Sequence, residues 1–150
     1  MKELPHGGDI YSIPGPVLDF SANINPLGIP EGVKQAVVSS VEGCVHYPDP
    51  LCRELRRALS EHESVPPDWL VFGNGAADLI FRLVWAVRPK RAVIAEPTFL
   101  EYGFALESSG CHIVSHRLRR EEGFAVTRRL LDDLTPGTDL LFLCNPNNPT

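Results

Sequence analysis

A mainly parallel α/β fold is predicted for this chain, and three observations carry the prediction. The apolar run Trp69-Leu70-Val71-Phe72 leads through Gly73-Asn74-Gly75 into residues with helical spacing, which makes one strand–turn–helix unit. The same alternation of apolar run, turn and helix continues down to residue 144, the pattern of a parallel sheet joined by right-handed helical crossovers. Residues 141–150, Leu-Phe-Leu-Cys-Asn-Pro-Asn-Asn-Pro-Thr, then carry an apolar strand into a loop stiffened by Pro146 and Pro149. In open sheets of this class ligands bind beyond the C-terminal strand ends.

In chain order, residues 1–30 are rich in Gly, Pro and Asn and lack both helical and strand periodicity. Ile10, Tyr11, Ile13, Val17, Leu18 and Phe20 are too many apolar side chains for a free tail, so the segment reads as an arm laid along a surface or a partner subunit. Helical spacing begins after Pro30 with Val33, Ala36 and Val37, and returns over residues 50–61 with Leu51, Leu55, Ala58 and Leu59. Residues 69–72 predict the first strand, and residues 76–87 a helix with Leu79, Ile80, Leu83 and Val84 on one face. A strand at 92–95 leads through Glu96-Pro97-Thr98-Phe99 into a helix to about residue 109. A strand at 111–115, a charged connection, a short helix near 127–134 and a fourth strand at 139–144 complete the series.

Composition narrows the function classes. At 150 residues, 43% hydrophobic and 22% charged, the chain reads as a soluble globular core. A net charge of -5 with scattered basic residues argues against a nucleic-acid partner. No apolar stretch approaches the ~20 residues of a membrane helix, and no basic-then-apolar leader opens the chain, so a cytoplasmic location is expected. Cys44, Cys52, Cys111 and Cys144 form no Cys-x-x-Cys pair and read as reduced structural thiols. Neighbours on a strand point to opposite faces, so Cys111 and His112 cannot easily share an ion, and no metal is implied.

Three strand ends carry chemistry. Gly73-Asn74-Gly75-Ala76-Ala77-Asp78 turns from strand into helix, where close backbone approach and spare first-turn amides favour an anion such as phosphate. The same glycines also serve a plain tight turn, and neither a Gly-x-Gly-x-x-Gly nor a Gly-Lys-Ser/Thr pattern is present. Phe99, held behind Pro97, offers a face to a planar ligand or an aromatic to the core. Asn148 offers a neutral amide for a phenolate oxygen or simply makes a turn. Together an anion cradle, a stacking face and an amide describe a flat, phosphorylated, hydroxylated heteroaromatic, pyridoxal 5′-phosphate.

At this point Cys144-Asn145-Pro146-Asn147-Asn148-Pro149-Thr150 resembles the Asn-Pro-x-Asn-Pro-Thr-Gly signature of the fold-type I, aspartate-aminotransferase-like family of pyridoxal-phosphate enzymes. The resemblance spans essentially the whole chain. It implies an N-terminal arm (1–30), a helical segment of the small domain and dimer region (31–68), and the first part of the three-layer, cofactor-binding large domain (69–150). The segments His6-Gly7-Gly8-Asp9-Ile10-Tyr11, Leu18-Asp19-Phe20-Ser21-Ala22-Asn23-Ile24-Asn25-Pro26-Leu27-Gly28 and Tyr47-Pro48-Asp49-Pro50 are similar to the threonine-phosphate decarboxylase branch of cobalamin biosynthesis, kin to histidinol-phosphate aminotransferases.

Residue by residue, the resemblance implies that Gly75, Ala76 and Ala77 bind the cofactor phosphate through main-chain amides, that Phe99 stacks on the ring and that Asn148 bonds its 3′-oxygen. Tyr47 would reach the neighbouring site of a homodimer, while His6 and Asn23 would face the phosphate and carboxylate of a phosphorylated amino-acid substrate. His6 also reads as a loose terminal residue. The Schiff-base lysine, the acid opposite the pyridine nitrogen and the carboxylate-binding arginine of this family fall beyond Thr150, and Lys2, Lys34 and Lys90 suit none of these roles. The chain therefore reads as the N-terminal part of a longer decarboxylase, inactive alone. A transaminase for histidinol phosphate and a non-catalytic dimerising module are the alternatives.

Overall fold

The computed structural model describes residues 7–150. The chain folds as two compact units, one ending at Leu51 and one running from Cys52 to Thr150.

In the first unit the arm is organised by polar side chains. The Asp19 carboxylate accepts from the Ser21 amide at 2.7 Å and the Ser21 hydroxyl at 2.6 Å, and the Ser21 oxygen accepts from the Gly8 amide at 2.8 Å. These bonds hold the Asp19 carboxyl below the ordinary carboxylate value. A Cβ on Gly7 would lie 1.8 Å from the Ser21 carbonyl oxygen, so the backbone packs too closely there for any other residue. Helix α1, Glu31–Ser40, starts after Pro30, a residue that cannot donate but suits a helix start, and runs on into a 3₁₀ turn over Val41–Val45. The predicted apolar face exists, yet Val33 and Val37 on it are exposed.

The second unit opens with α2, Arg53–Glu63, closed by Ser64 in the left-handed conformation with the Val65 amide on the Ser60 carbonyl at 3.2 Å. The strand predicted at residues 69–72 is not formed. A 3₁₀ turn covers Pro67–Trp69, Leu70 is extended with φ -98° and ψ 132°, and no ladder follows. A strand exists only through a neighbour, and among the described residues none pairs with this run, leaving Trp69 76% and Val71 71% exposed.

Beyond it the alternation holds: α3 Gly75–Val87, β1 Arg91–Glu96, α4 Glu101–Ser108, β2 His112–Arg117, α5 Leu130–Asp133 and β3 Leu140–Phe142. The sheet is wholly parallel in the order β2-β1-β3, with Ala92 opposite both Ile113 and Leu140. Side chains alternate along β1, so Ala92 and Ile94 face α3 and α4 through Val84, Ala105 and Leu106, while His116, opposite Ala95, faces α5. Ile94, Leu106, Val84 and Val93 are fully buried, each contributing about 1.5–3 kcal/mol of apolar burial. The expected helix near 127–134 shrinks to the four residues of α5, whose Asp133 carboxylate meets Nδ1 of the buried His116 at 2.6 Å. The fourth predicted strand shortens to three residues, because Asp139 turns its carboxylate onto the amides of Lys90 (2.7 Å) and Arg91 (3.1 Å) at the start of β1.

Candidate functional site

The glycine turn is delivered by Arg56. Its guanidinium donates to the carbonyls of Pro67 at 2.7 Å and Leu70 at 2.6 Å and lies 5.0 Å from the Phe72 ring centroid, so α2 pins the segment entering the turn. Gly75 then adopts φ +83° with its amide on the Gly73 carbonyl at 2.9 Å. The Asp78 carboxylate accepts from the Asn74 amide at 2.8 Å and from Arg82 Nε at 2.9 Å. Capping thus consumes the amides of Asn74 and Gly75. Those of Ala76 and Ala77 carry no hydrogen bond among the described residues and stand at the positive end of a 13-residue helix. Of the three amides assigned to phosphate, these two are the uncommitted ones.

This turn reaches the edge of the sheet at the C-terminal strand ends by simple geometry. Three residues join α3 to β1, and both pack into one core, so the helix runs back along the strand. A 13-residue helix and a six-residue strand are both about 20 Å long. The start of α3 therefore lies level with the end of β1, where Pro97, Thr98 and Phe99 follow.

Phe99 is half-buried, with its ring edge-on to Tyr102 at 5.8 Å and 87°. Tyr102 stacks on Phe142 of β3 at 4.5 Å, and burial, followed by contact with Cys144, pushes its phenol pKa up. Phe99 is thus anchored to the core through one edge and is otherwise only partly covered.

The loops after β1 and β3 meet through Asn147. Its Oδ1 accepts from the Thr98 hydroxyl at 2.7 Å, and its Nδ2 donates to the Pro97 carbonyl at 2.9 Å and to Thr150 Oγ1 at 2.5 Å. Asn148 is exposed and makes no hydrogen bond among the described residues, so its amide is uncommitted. A cleft of about 400 Å³ opens beside this junction, lined by Glu96, Pro97, Thr98, Leu100, Arg117 and Leu118, none of them a predicted ligand contact.

In the first unit, Asn25 closes a turn, accepting from the Leu27 amide at 3.0 Å and donating to the Gly28 carbonyl at 3.1 Å. Asn23 remains exposed and unbonded, and Tyr47 is fully exposed. His6 lies outside the described residues. Arg56, Tyr102 and Asn147 escaped the sequence reading, although the pairing of Asn147 with Asn148 was a visible signal that one amide would be structural.

All four cysteines are free thiols. Among the described residues no helix is long and apolar enough to cross a membrane, and no three His, Cys, Asp or Glu side chains gather as metal ligands.

Comparison with known proteins agrees with this geometry. The chain is 45% identical to the threonine-phosphate decarboxylase of Salmonella typhimurium over 97% of its own length and 42% of that protein's. It is 36% identical to a histidinol-phosphate aminotransferase of Methanococcoides burtonii, over 91% of the chain and 39% of that protein. The chain thus spans about two fifths of the length of the curated relatives it matches. Among solved structures it resembles the histidinol-phosphate aminotransferase of Clostridium acetobutylicum, with a TM-score of 0.77 and 27% identity over 89% of the chain and 39% of that structure's chain. The model of the family described as aminotransferase class I and II matches residues 15–150. A match over that span shows that the chain belongs to the aminotransferase class I and II family.

Proposed function

We propose that the chain is the N-terminal part of a pyridoxal-phosphate-dependent decarboxylase acting on O-phospho-L-threonine. The observation that carries this reading is the 45% identity to a threonine-phosphate decarboxylase, maintained over 97% of the chain and well above the 36% to an aminotransferase. Residues 1–30 act as the arm, 31–68 as the helical segment of the small domain and dimer region, and 69–150 as the first part of the cofactor domain.

The residues present fit the cofactor. Two uncommitted amides, Ala76 and Ala77, at a helix start suit its phosphate, with Gly75 keeping the approach open, since no atom comes within 4 Å of where its Cβ would be. The unbonded Asn148 amide would be free to donate to the 3′-oxygen, and Phe99 would cover the ring. When bound, the cofactor supplies the electron sink that allows an amino acid to lose carbon dioxide. The chain's own contribution is to hold and orient. Asn23 takes the substrate carboxylate, His6 its phosphate, and Tyr47 reaches the neighbouring site in a homodimer. Asn23 would thereby help to set how the substrate carboxylate is turned.

The lysine that tethers the cofactor is none of those described here. Lys34 pairs with Glu31 at 3.5 Å on α1, and Lys90 precedes β1, at the end of the sheet opposite Phe99. The aminotransferase reading keeps support from the Clostridium acetobutylicum likeness. Carbon dioxide release from phosphothreonine, and amino transfer from histidinol phosphate to 2-oxoglutarate, should be assayed side by side in the full-length enzyme. Release without transfer is expected, and brisk transfer without release would sink the decarboxylase assignment.

A further inference from the structure

Neighbouring asparagines at the end of β3 do opposite things. Asn148 leaves its amide unbonded. Asn147 uses its oxygen and its amide nitrogen on three partners: the Thr98 hydroxyl, the Pro97 carbonyl and the Thr150 hydroxyl. Two of those partners lie 49 and 50 residues away in sequence, on the loop that carries Phe99. Thr98 is bonded to Phe99, and Asn147 to Asn148. A single side chain therefore ties the residue before the ring platform to the residue before the oxygen-binding amide.

We infer that Asn147, with Thr98 as its partner, is a positioning residue that fixes the Phe99 ring and the Asn148 amide relative to each other before a ligand arrives. The inference rests on the cofactor reading above. Neighbouring Cα atoms are about 3.8 Å apart, so movement at 98 or 147 passes to 99 or 148 with little attenuation. The β1–β3 ladder brings the two loops side by side, and Tyr102 stacks on Phe142 and meets Cys144, but neither contact touches Asn148. Asparagine suits the task because it accepts and donates at once without charge. Aspartate would keep the Thr98 bond, lose both donors, and place a negative charge against the Pro97 carbonyl.

Four variants of the full-length enzyme test this: Asn147→Ala, Thr98→Val, Thr98→Ser and the double variant Asn147→Ala/Thr98→Val. Titration of the cofactor-free protein with pyridoxal phosphate gives its Kd, the bound cofactor's absorbance and its pH profile report the 3′-oxygen environment, and thermal unfolding of the cofactor-free protein reports the fold. Asn147→Ala and Thr98→Val should each weaken the cofactor and shift its absorbance pH profile, and kcat should fall by about ten- to a hundred-fold, the scale of an ångström-level misplacement, with KM changing less. Thr98→Ser, which keeps the hydroxyl, should restore the parental profile, and the double variant should add little to Asn147→Ala, since both break the same bond. Thr98→Val keeps the side-chain volume and serves if Asn147→Ala does not fold. Additive effects, or a parental profile in Thr98→Val, would overturn the inference. Asn148→Ala separates the two levels: a shifted profile there with none in Asn147→Ala and Thr98→Val removes only the positioning role, whereas silence in Asn148→Ala removes the cofactor reading and the inference together.

Discussion

Replacing Gly75 by alanine tests the anion cradle at its most specific point. Gly75 sits at φ +83°, and a Cβ built there meets no atom within 4 Å, so the change carries a backbone penalty without a steric one. Holding an L-residue in the left-handed region costs roughly 1–2 kcal/mol, equivalent to a factor of about 5–30 in an equilibrium constant. The mutant chain can accept that cost, or it can relax to negative φ. Relaxation would swing the Ala76 and Ala77 amides relative to the Gly73–Gly75 turn, since φ of Gly75 sets the direction in which the helix leaves that turn. Either way, cofactor affinity and stability together should lose about 5–30-fold in equilibrium terms. Titration of the cofactor-free full-length enzyme with pyridoxal phosphate, alongside its urea midpoint, divides the loss between the two. Gly75→Asn should lose less, because asparagine tolerates positive φ, and Gly75→Val more, because a β-branched side chain is strained there. If alanine bound the cofactor and resisted urea as the parent does, or if asparagine and valine ranked alike, the argument from φ would be refuted.

Two further outcomes follow from polar contacts outside the cradle. Asp139 has its pKa held below the ordinary carboxylate value by the amides of Lys90 and Arg91, so its contribution is complete above about pH 4 and is lost as pH falls through the lower folded value. Asp139→Asn should therefore flatten the acid side of the urea-midpoint profile relative to the parent, and parallel profiles below pH 4 would refute the linkage. Arg56→Met keeps the apolar stem but removes two charge-assisted bonds to the Pro67 and Leu70 carbonyls and the contact with Phe72, a loss of about 2–4 kcal/mol. Hydrogen exchange should quicken at residues 70–75, and unchanged exchange there would show that the turn is positioned without Arg56.

The parts of the fold legible in the sequence are those in which a short-range pattern already contains its partner. Helix α3 carries Leu79, Ile80, Leu83 and Val84 at helical spacing, and Val84 is indeed fully buried against Ala92 and Ile94. Strands β1, β2 and β3 were legible for the same reason, with ends displaced by a few residues. The run at residues 69–72 was misread because an apolar run records a preference for burial without recording what buries it; a ladder needs a second strand that the run cannot specify. The 127–134 helix was overestimated for a related reason, since only four residues there turn fully and the rest serve loop bonds such as Leu130 amide to Thr127 carbonyl at 3.0 Å.

The residue types proposed for the candidate site stand in the sequence, but which of their hydrogen-bonding groups the fold already uses does not. Two pairs of asparagines show why. Asn25 and Asn147 spend their amides on backbone and hydroxyl groups, whereas Asn23 and Asn148, two residues and one residue away, spend none. Asparagine is favoured in turns because its side chain can satisfy the backbone, and that same capacity makes it a ligand group wherever the turn leaves it unused. Residue type alone gives both members of a pair the same standing. Only the partners separate them: a structural amide has its hydrogen bonds inside the chain, and a binding amide must be left without them, at no cost while water can reach it. In this chain the side chains of Asn23 and Asn148 and the amides of Ala76 and Ala77 meet that criterion, whereas the Gly75 amide is already on the Gly73 carbonyl at 2.9 Å.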